Sequence, residues 1–267
     1  MKKIAVTTVK LMGFFLGWAI ASAILPLSSS EVPAVWRLWA EIMPLLAIIV
    51  FTFLFWLLEK KKVKLHLFAQ PVKGAILGVI TGVLWLAVPV LLLYMAKIIH
   101  FEGVNTVDLF PVWVLAAFLN VIMQELLVRG YLYQMIKQNH NMAAAVIATT
   151  LLFTALHGGA FEAGIVPVLN VFTMSLLMTV VLEYSGSLAA PMIMHFLWNG
   201  TGALVLGGVS LADDYPSLLI TTFTGNEILS GGTCKIEGSI IVLFVNVLLI
   251  ILFLFLKNRQ KNSQGVA

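Results

Sequence analysis

Five side chains in this sequence have the chemistry of a hydrolytic site and stand in apolar surroundings. Glu125 and Arg129 lie in the run 109–133, His157 closes the run 142–157, and His195 and Asn199 lie in the run 187–207. A charge at bilayer depth costs at least ~2.5–3.5 kcal/mol on insertion scales, so it needs a partner or a purpose. Glu125 and Arg129 are four residues apart, about 40° around a helix, and can pair on one face. His195 and Asn199 repeat that spacing. Two neutral imidazoles are good ligands for Zn²⁺ or a similar divalent metal, so His157 and His195 are the candidate metal ligands. A metal-bound water ionises near neutral pH. A carboxylate such as Glu125 can take the water's proton and pass it to a leaving amine. Asn199 or a histidine can hold the oxyanion of a tetrahedral intermediate. Arg129 would keep Glu125 ionised and in place. The chemistry expected is peptide-bond hydrolysis in an apolar setting. The contiguous H-E-x-x-H motif of soluble zinc peptidases is absent, so separate helices must assemble the groups.

The elements that must do this are membrane helices. Of the 267 residues, 61% are apolar and only 10% are charged. A soluble domain has about 25% charged residues, and this chain cannot build such a skin. Its apolar content excludes disorder, and the single cysteine, Cys234, excludes a disulfide scaffold. The expectation is an all-α, polytopic integral membrane protein. Eight hydrophobic segments stand out, at about 11–28, 39–58, 74–96, 109–133, 142–157, 164–183, 187–207 and 239–256. The chain is read as a single transmembrane domain over 1–267, with the motif-bearing core at 109–203. The longest polar gap, 208–238, reads as a loop. Ala21-Ser22-Ala23 resembles a signal-peptidase site, but the apolar run continues through Ile24 to Leu27, so the first helix is expected to stay uncleaved.

Basic residues orient the helices. With a cytoplasmic N-terminus and eight alternating spans, the inside receives 12 basic residues and the outside three, Arg37, Lys97 and Lys235; Arg129 in the membrane completes the 16. The positive-inside rule then predicts cytoplasmic N- and C-termini; the membrane expected for this multi-pass protein is the plasma membrane. The run Lys60 to Lys64 reads as a topogenic loop rather than a nucleic-acid patch, and no nucleic-acid partner is expected. The expected partners are the lipid bilayer and a peptide or membrane-protein substrate.

At the polar residues the sequence resembles a known family. Gln124-Glu125-x-x-x-Arg129-Gly130, Phe153-x-x-x-His157 and His195-x-x-x-Asn199 look like the three motifs of the CPBP intramembrane metalloproteases, which include CAAX prenyl endopeptidases and bacteriocin-processing or self-immunity proteins. The stretch from Ser185 to His195 is similar to the family's approach to its third motif. The resemblance implies an eight-helix fold with a proteolytic site on the fourth, fifth and seventh helices. Carried over one at a time, Glu125 matches the second family glutamate, Arg129 the arginine, His157 and His195 the histidines, and Asn199 the terminal asparagine. The family pattern usually opens with two glutamates, the first of which is assigned to activating water. Gln124 stands at that position here, and an amide is no general base. Either Glu125 takes the role, or the protein is a weakened or non-catalytic relative, the latter serving as an immunity, scaffold or partner-binding protein.

Each residue also has a plainer reading. Glu125 and Arg129 form an ion pair that fixes helix packing. His157, beside Gly158-Gly159, caps carbonyls at a helix end. His195 and Asn199 are interhelical hydrogen-bonding groups. Phe153 packs near His157. Gly74, Gly78 and Gly82, four apart, mark a close helix contact. A transporter, with the buried Glu, Arg and His as a proton path, is a third class, but no internal repeat supports it.

Overall fold

The structure, a computed structural model, describes residues 2–67 and 69–264. Helices α1 (Lys2–Ile24), α2 (Pro33–Leu58) and α3 (Pro71–Met95) come first. A strand, β1 (Ile99–Val104), precedes α4 (Phe110–Glu125), which is followed by a π-helix (Leu126–Leu132), kinked at Gly130, and by α5 (Tyr133–Asn139). Then come α6 (Met142–Ala155), α7 (Gly158–Ala163), α8 (Ile165–Ser185) and α9 (Ala189–Phe196), the last continuing as a second π-helix (Leu197–Val205). Strand β2 (Leu219–Phe223), the short α10 (Glu227–Ser230), a 3₁₀ turn (Gly232–Gly238) and α11 (Ile240–Gln264) complete the chain.

The protein is a polytopic, predominantly helical membrane protein. Among the described residues six helices are long and apolar enough to cross a bilayer: Lys2–Ile24, Pro33–Leu58, Pro71–Met95, Phe110–Asn139, Ile165–Ser185 and Gly232–Ser263. Met142–Ala155 is a shorter apolar helix. The eight hydrophobic segments are all helical, with shifted ends. The first helix starts at Lys2, not near 11, and stops at Ile24, because Leu25 precedes Pro26 and proline disfavours the helical conformation of the residue before it. Pro33 and Pro71 begin α2 and α3, where proline's missing N–H costs nothing. The gap at 208–238 is not wholly loop: β2 pairs antiparallel with β1, Ile99 opposite Phe223 and Val104 opposite Leu219, with a bulge between Phe101 and Gly103.

The chain divides into two compact units. The first comprises Met1–Leu67 and Asp108–Leu152. In it α2 packs against α1 and α4. Phe14, Phe55 and Tyr131 form an aromatic cluster, with ring centroids 4.9–5.5 Å apart. Beside it the Lys10 ammonium is 2.6 Å from Glu59 Oε1, and the Tyr131 hydroxyl donates to the same oxygen at 3.1 Å.

The second unit comprises Phe68–Val107 and Phe153–Ala267. Here α3 lies against α9, and α8 against α11. The glycines set the first contact. A Cβ on Gly78 would lie 2.5 Å from the Ala190 carbonyl oxygen, and one on Gly82 3.0 Å from Met194 Cα. The expected glycine contact is thus present, and its partner is the helix that carries His195. Asn246 on α11 ties the other helices: its Oδ1 accepts from Trp85 Nε1 on α3 at 2.6 Å, and its Nδ2 donates to Thr173 Oγ1 on α8 at 2.9 Å.

Candidate functional site

The first unit holds Gln124, Glu125 and Arg129. Glu125 is the last residue of α4, and the π-helix begins at the next residue. π-helical segments are rare, and they recur at functional sites. Inside this one Gly130 leaves helical geometry altogether, at φ −71° and ψ −106°. Arg129 Nη1 donates to both oxygens of Glu125, each at 2.9 Å, and both side chains are fully buried. The sequence spacing foresaw this pair. An ionised carboxylate has about four acceptor positions, so it keeps capacity to accept a water's proton while it holds an arginine.

Two further groups in this unit escaped sequence reasoning. Glu41 on α2 is buried, with Arg37 Nη1 3.4 Å from its Oε1. Asn120 on α4 donates from Nδ2 to Glu41 Oε2 at 2.8 Å and accepts from Gln124 Nε2 on Oδ1 at 2.6 Å. The cost of a carboxylate inside an apolar segment applies to Glu41 as it does to Glu125. That signal could have found it, since Glu41 lies inside the run 39–58.

The second unit holds Phe153, His157, His195 and Asn199. The last helical residue of α6 is Ala155, so His157 lies beyond the helix that was expected to end on it, at φ −100° and ψ 61° before α7. Its Nδ1 is 2.7 Å from the Phe153 carbonyl oxygen. A carbonyl only accepts, so Nδ1 is the donor in this bond. His157 therefore bonds a carbonyl at the end of α6, as the capping reading expects. The Phe153 ring meets both imidazoles, with centroids 4.3 Å from His157 and 6.1 Å from His195. Phe153 thus packs against the two histidines at once.

His195 and Asn199 are buried. A helix boundary falls between them, because the second π-helix starts at Leu197. Each π-helix therefore opens within two residues of a motif side chain, Glu125 in one case and His195 in the other. Between His195 and Asn199, Trp198 stacks on Trp85 at 4.3 Å and donates from Nε1 to Glu237 Oε1 at 3.1 Å. Glu237 also accepts from the Ser210 backbone N–H at 3.2 Å. It anchors the chain after the π-helix, a role no local pattern in the sequence shows.

The donor set bears on a metal. A catalytic zinc site usually has three protein ligands. Among the described residues no group of three His, Cys, Asp or Glu side chains is placed to hold a metal ion. His157 and His195 supply two donors, which is not by itself a complete set.

The class so defined is a polytopic membrane protein that buries a carboxylate–guanidinium pair in a candidate span and packs two imidazoles on one aromatic ring. A family model described as type II CAAX prenyl endopeptidase Rce1-like matches residues 106–201, just over a third of the chain. That segment carries all three motifs, so the model and the motif resemblance point to one family. No curated protein and no solved structure matches the chain.

Proposed function

We propose that this protein is an intramembrane endopeptidase that hydrolyses a peptide bond of a membrane-associated peptide or protein. The observation that supports it most is the family match at 106–201, which spans Glu125, Arg129, His157, His195 and Asn199 together. In this reading the oxygen of a water bonds to the scissile carbonyl carbon. Glu125 takes one of the water's protons and returns it to the departing amine as the C–N bond breaks. Arg129 holds the Glu125 carboxylate in place. His195 and Asn199 donate to the oxyanion, each such donor being worth on the order of 10²–10³ in rate. The Phe153 carbonyl holds the His157 ring in place through Nδ1. The resemblance also carries a divalent metal, Zn²⁺ in the first instance, which would activate water as a Lewis acid. Its donors here would be the two histidines, which do not by themselves complete a site. In this proposal the protein sits in the plasma membrane with both termini cytoplasmic, an orientation that its basic residues support.

The test is mass spectrometry of a transmembrane peptide library incubated with the protein in liposomes. Cleavage is expected with the natural protein, and its loss in Glu125→Ala, His157→Ala and His195→Ala, each still present in the membrane. Groups that act as a unit lose nearly everything when one is removed. Full activity in either histidine variant would return the imidazoles to a packing role.

A second reading rests on a specific observation. Both oxygens of Glu125 are taken up by a fully buried arginine, and the residue before it is an amide. That is also how a non-catalytic relative would look, one that binds a partner through the same helices. An inert natural protein in the library assay, with a partner recovered by cross-linking, would favour it.

A further inference from the structure

The polar chain in the first unit has a direction, and the direction assigns Gln124 a job. It starts at Glu41, which as a carboxylate only accepts. The amide group of Asn120 that faces it must therefore be the NH₂, and Nδ2 lies 2.8 Å from Glu41 Oε2. This turns Asn120 Oδ1 toward Gln124, whose own NH₂ donates to it at 2.6 Å. The Gln124 oxygen is left at the far end. Oε1 is buried and accepts no hydrogen bond among the described residues. A buried acceptor in this condition is exceptional in a native protein and calls for a donor.

We propose that Gln124 Oε1 is a fixed acceptor for an O–H or N–H donor of the reacting system, and that Glu41 is the positioning residue that aims it, acting through Asn120. The donor is either the water to be activated or a backbone N–H of the substrate peptide. No proton is transferred to Gln124, which stays a neutral amide. The arrangement also explains why position 124 is not an acid. A carboxylate there would present an acceptor to Asn120 Oδ1, itself an acceptor, while Glu41 holds the asparagine NH₂ on the other side. The acid at this end of the motif stands on α2 instead, two side chains away.

The proposal deepens the peptidase reading, and two measurements separate its failure from the failure of that reading. The first needs no activity. Gln124→Glu is expected to lower the Tm of the purified protein, and adding Glu41→Gln is expected to raise it again, since Asn120 can then turn over and serve the acid at 124. With Asn120→Leu in both backgrounds that rescue should disappear. A double variant no more stable than Gln124→Glu alone, or a rescue that persists without Asn120, would overturn the directed chain. The second uses the cleavage assay. Glu41→Gln is expected to cost on the order of 10²-fold in rate, the scale of a misaimed reacting group. A fall in kcat at constant KM identifies water as the donor. A rise in KM, matched by N-methylation of one substrate amide, identifies the peptide. Unchanged kcat and KM in both Glu41→Gln and Gln124→Leu would remove the functional role.

Discussion

The two units hold their motif residues by different physics. In the first, the motif is electrostatic: Arg129 and Glu125 are fully buried against each other, and a second acid, Glu41, sits one amide relay from Gln124. In the second, the motif is packed. His157 is fixed by one carbonyl, both imidazoles lie on Phe153, and α9 reaches α3 over glycines. A buried ion pair is unforgiving, because removing one partner strands the other in a medium that cannot solvate it. Aromatic and glycine packing degrades by increments as volume changes. The units should therefore respond unequally to substitutions of similar size.

The sharpest break of that comparison is Arg129→Leu, which strands Glu125. It is expected to cost ~3–5 kcal/mol, seen as a large drop in Tm or in the folded yield from membranes. Glu125→Met combined with Arg129→Leu should recover most of the loss, since paired charges can be replaced by well-packed apolar groups. If the double variant is as unstable as the single, charge is not what holds the first motif.

Gly78→Val is the counterpart in the second unit. Its side chain would enter the space of the Ala190 carbonyl and push α9 outward. The expected loss is ~1–3 kcal/mol from overpacking. Cleavage should fall further than stability does, because His195 rides on α9. Activity that tracks stability alone would mean that the α3–α9 spacing does not position the histidine.

Asn246→Leu should cost about 1 kcal/mol or somewhat more, because Trp85 Nε1 and Thr173 would each lose a buried partner. Chemical or thermal unfolding in detergent measures it, and a neutral result would make the α3–α8–α11 contact purely apolar. The smallest effect belongs to Lys10→Met. That ion pair is charged too, but Lys10 is about a third exposed, so its loss is expected at ~0.2–1 kcal/mol. A larger loss would show that Lys10 and Glu59 support Tyr131 and the first π-helix as strongly as Arg129 supports Glu125.

Much was legible in the chain itself. Apolar content and segment length determine a helical membrane protein, because a bilayer requires backbone hydrogen bonds to be satisfied internally and continuous apolar runs of about 20 residues do so as helices. The four-residue spacing of Glu125 and Arg129 determines their pairing, and the four-residue spacing of Gly74, Gly78 and Gly82 determines a close contact face. These are local patterns, read from periodicity on one helix. Tertiary structure alone decided the rest. The π-helices after Glu125 and Phe196 have no signature in hydropathy, since a shift from i→i+4 to i→i+5 bonding leaves composition unchanged. The glycine face did not name α9 as its partner. Glu41 escaped the sequence reading, although it is a costly residue in an apolar run, and its link to Gln124 runs through Asn120, 79 residues along the chain from the acid. Trp198 and Glu237 meet across 39. A hydrogen bond between distant residues depends on where folding brings two helices together, and no window of the sequence contains both ends of it.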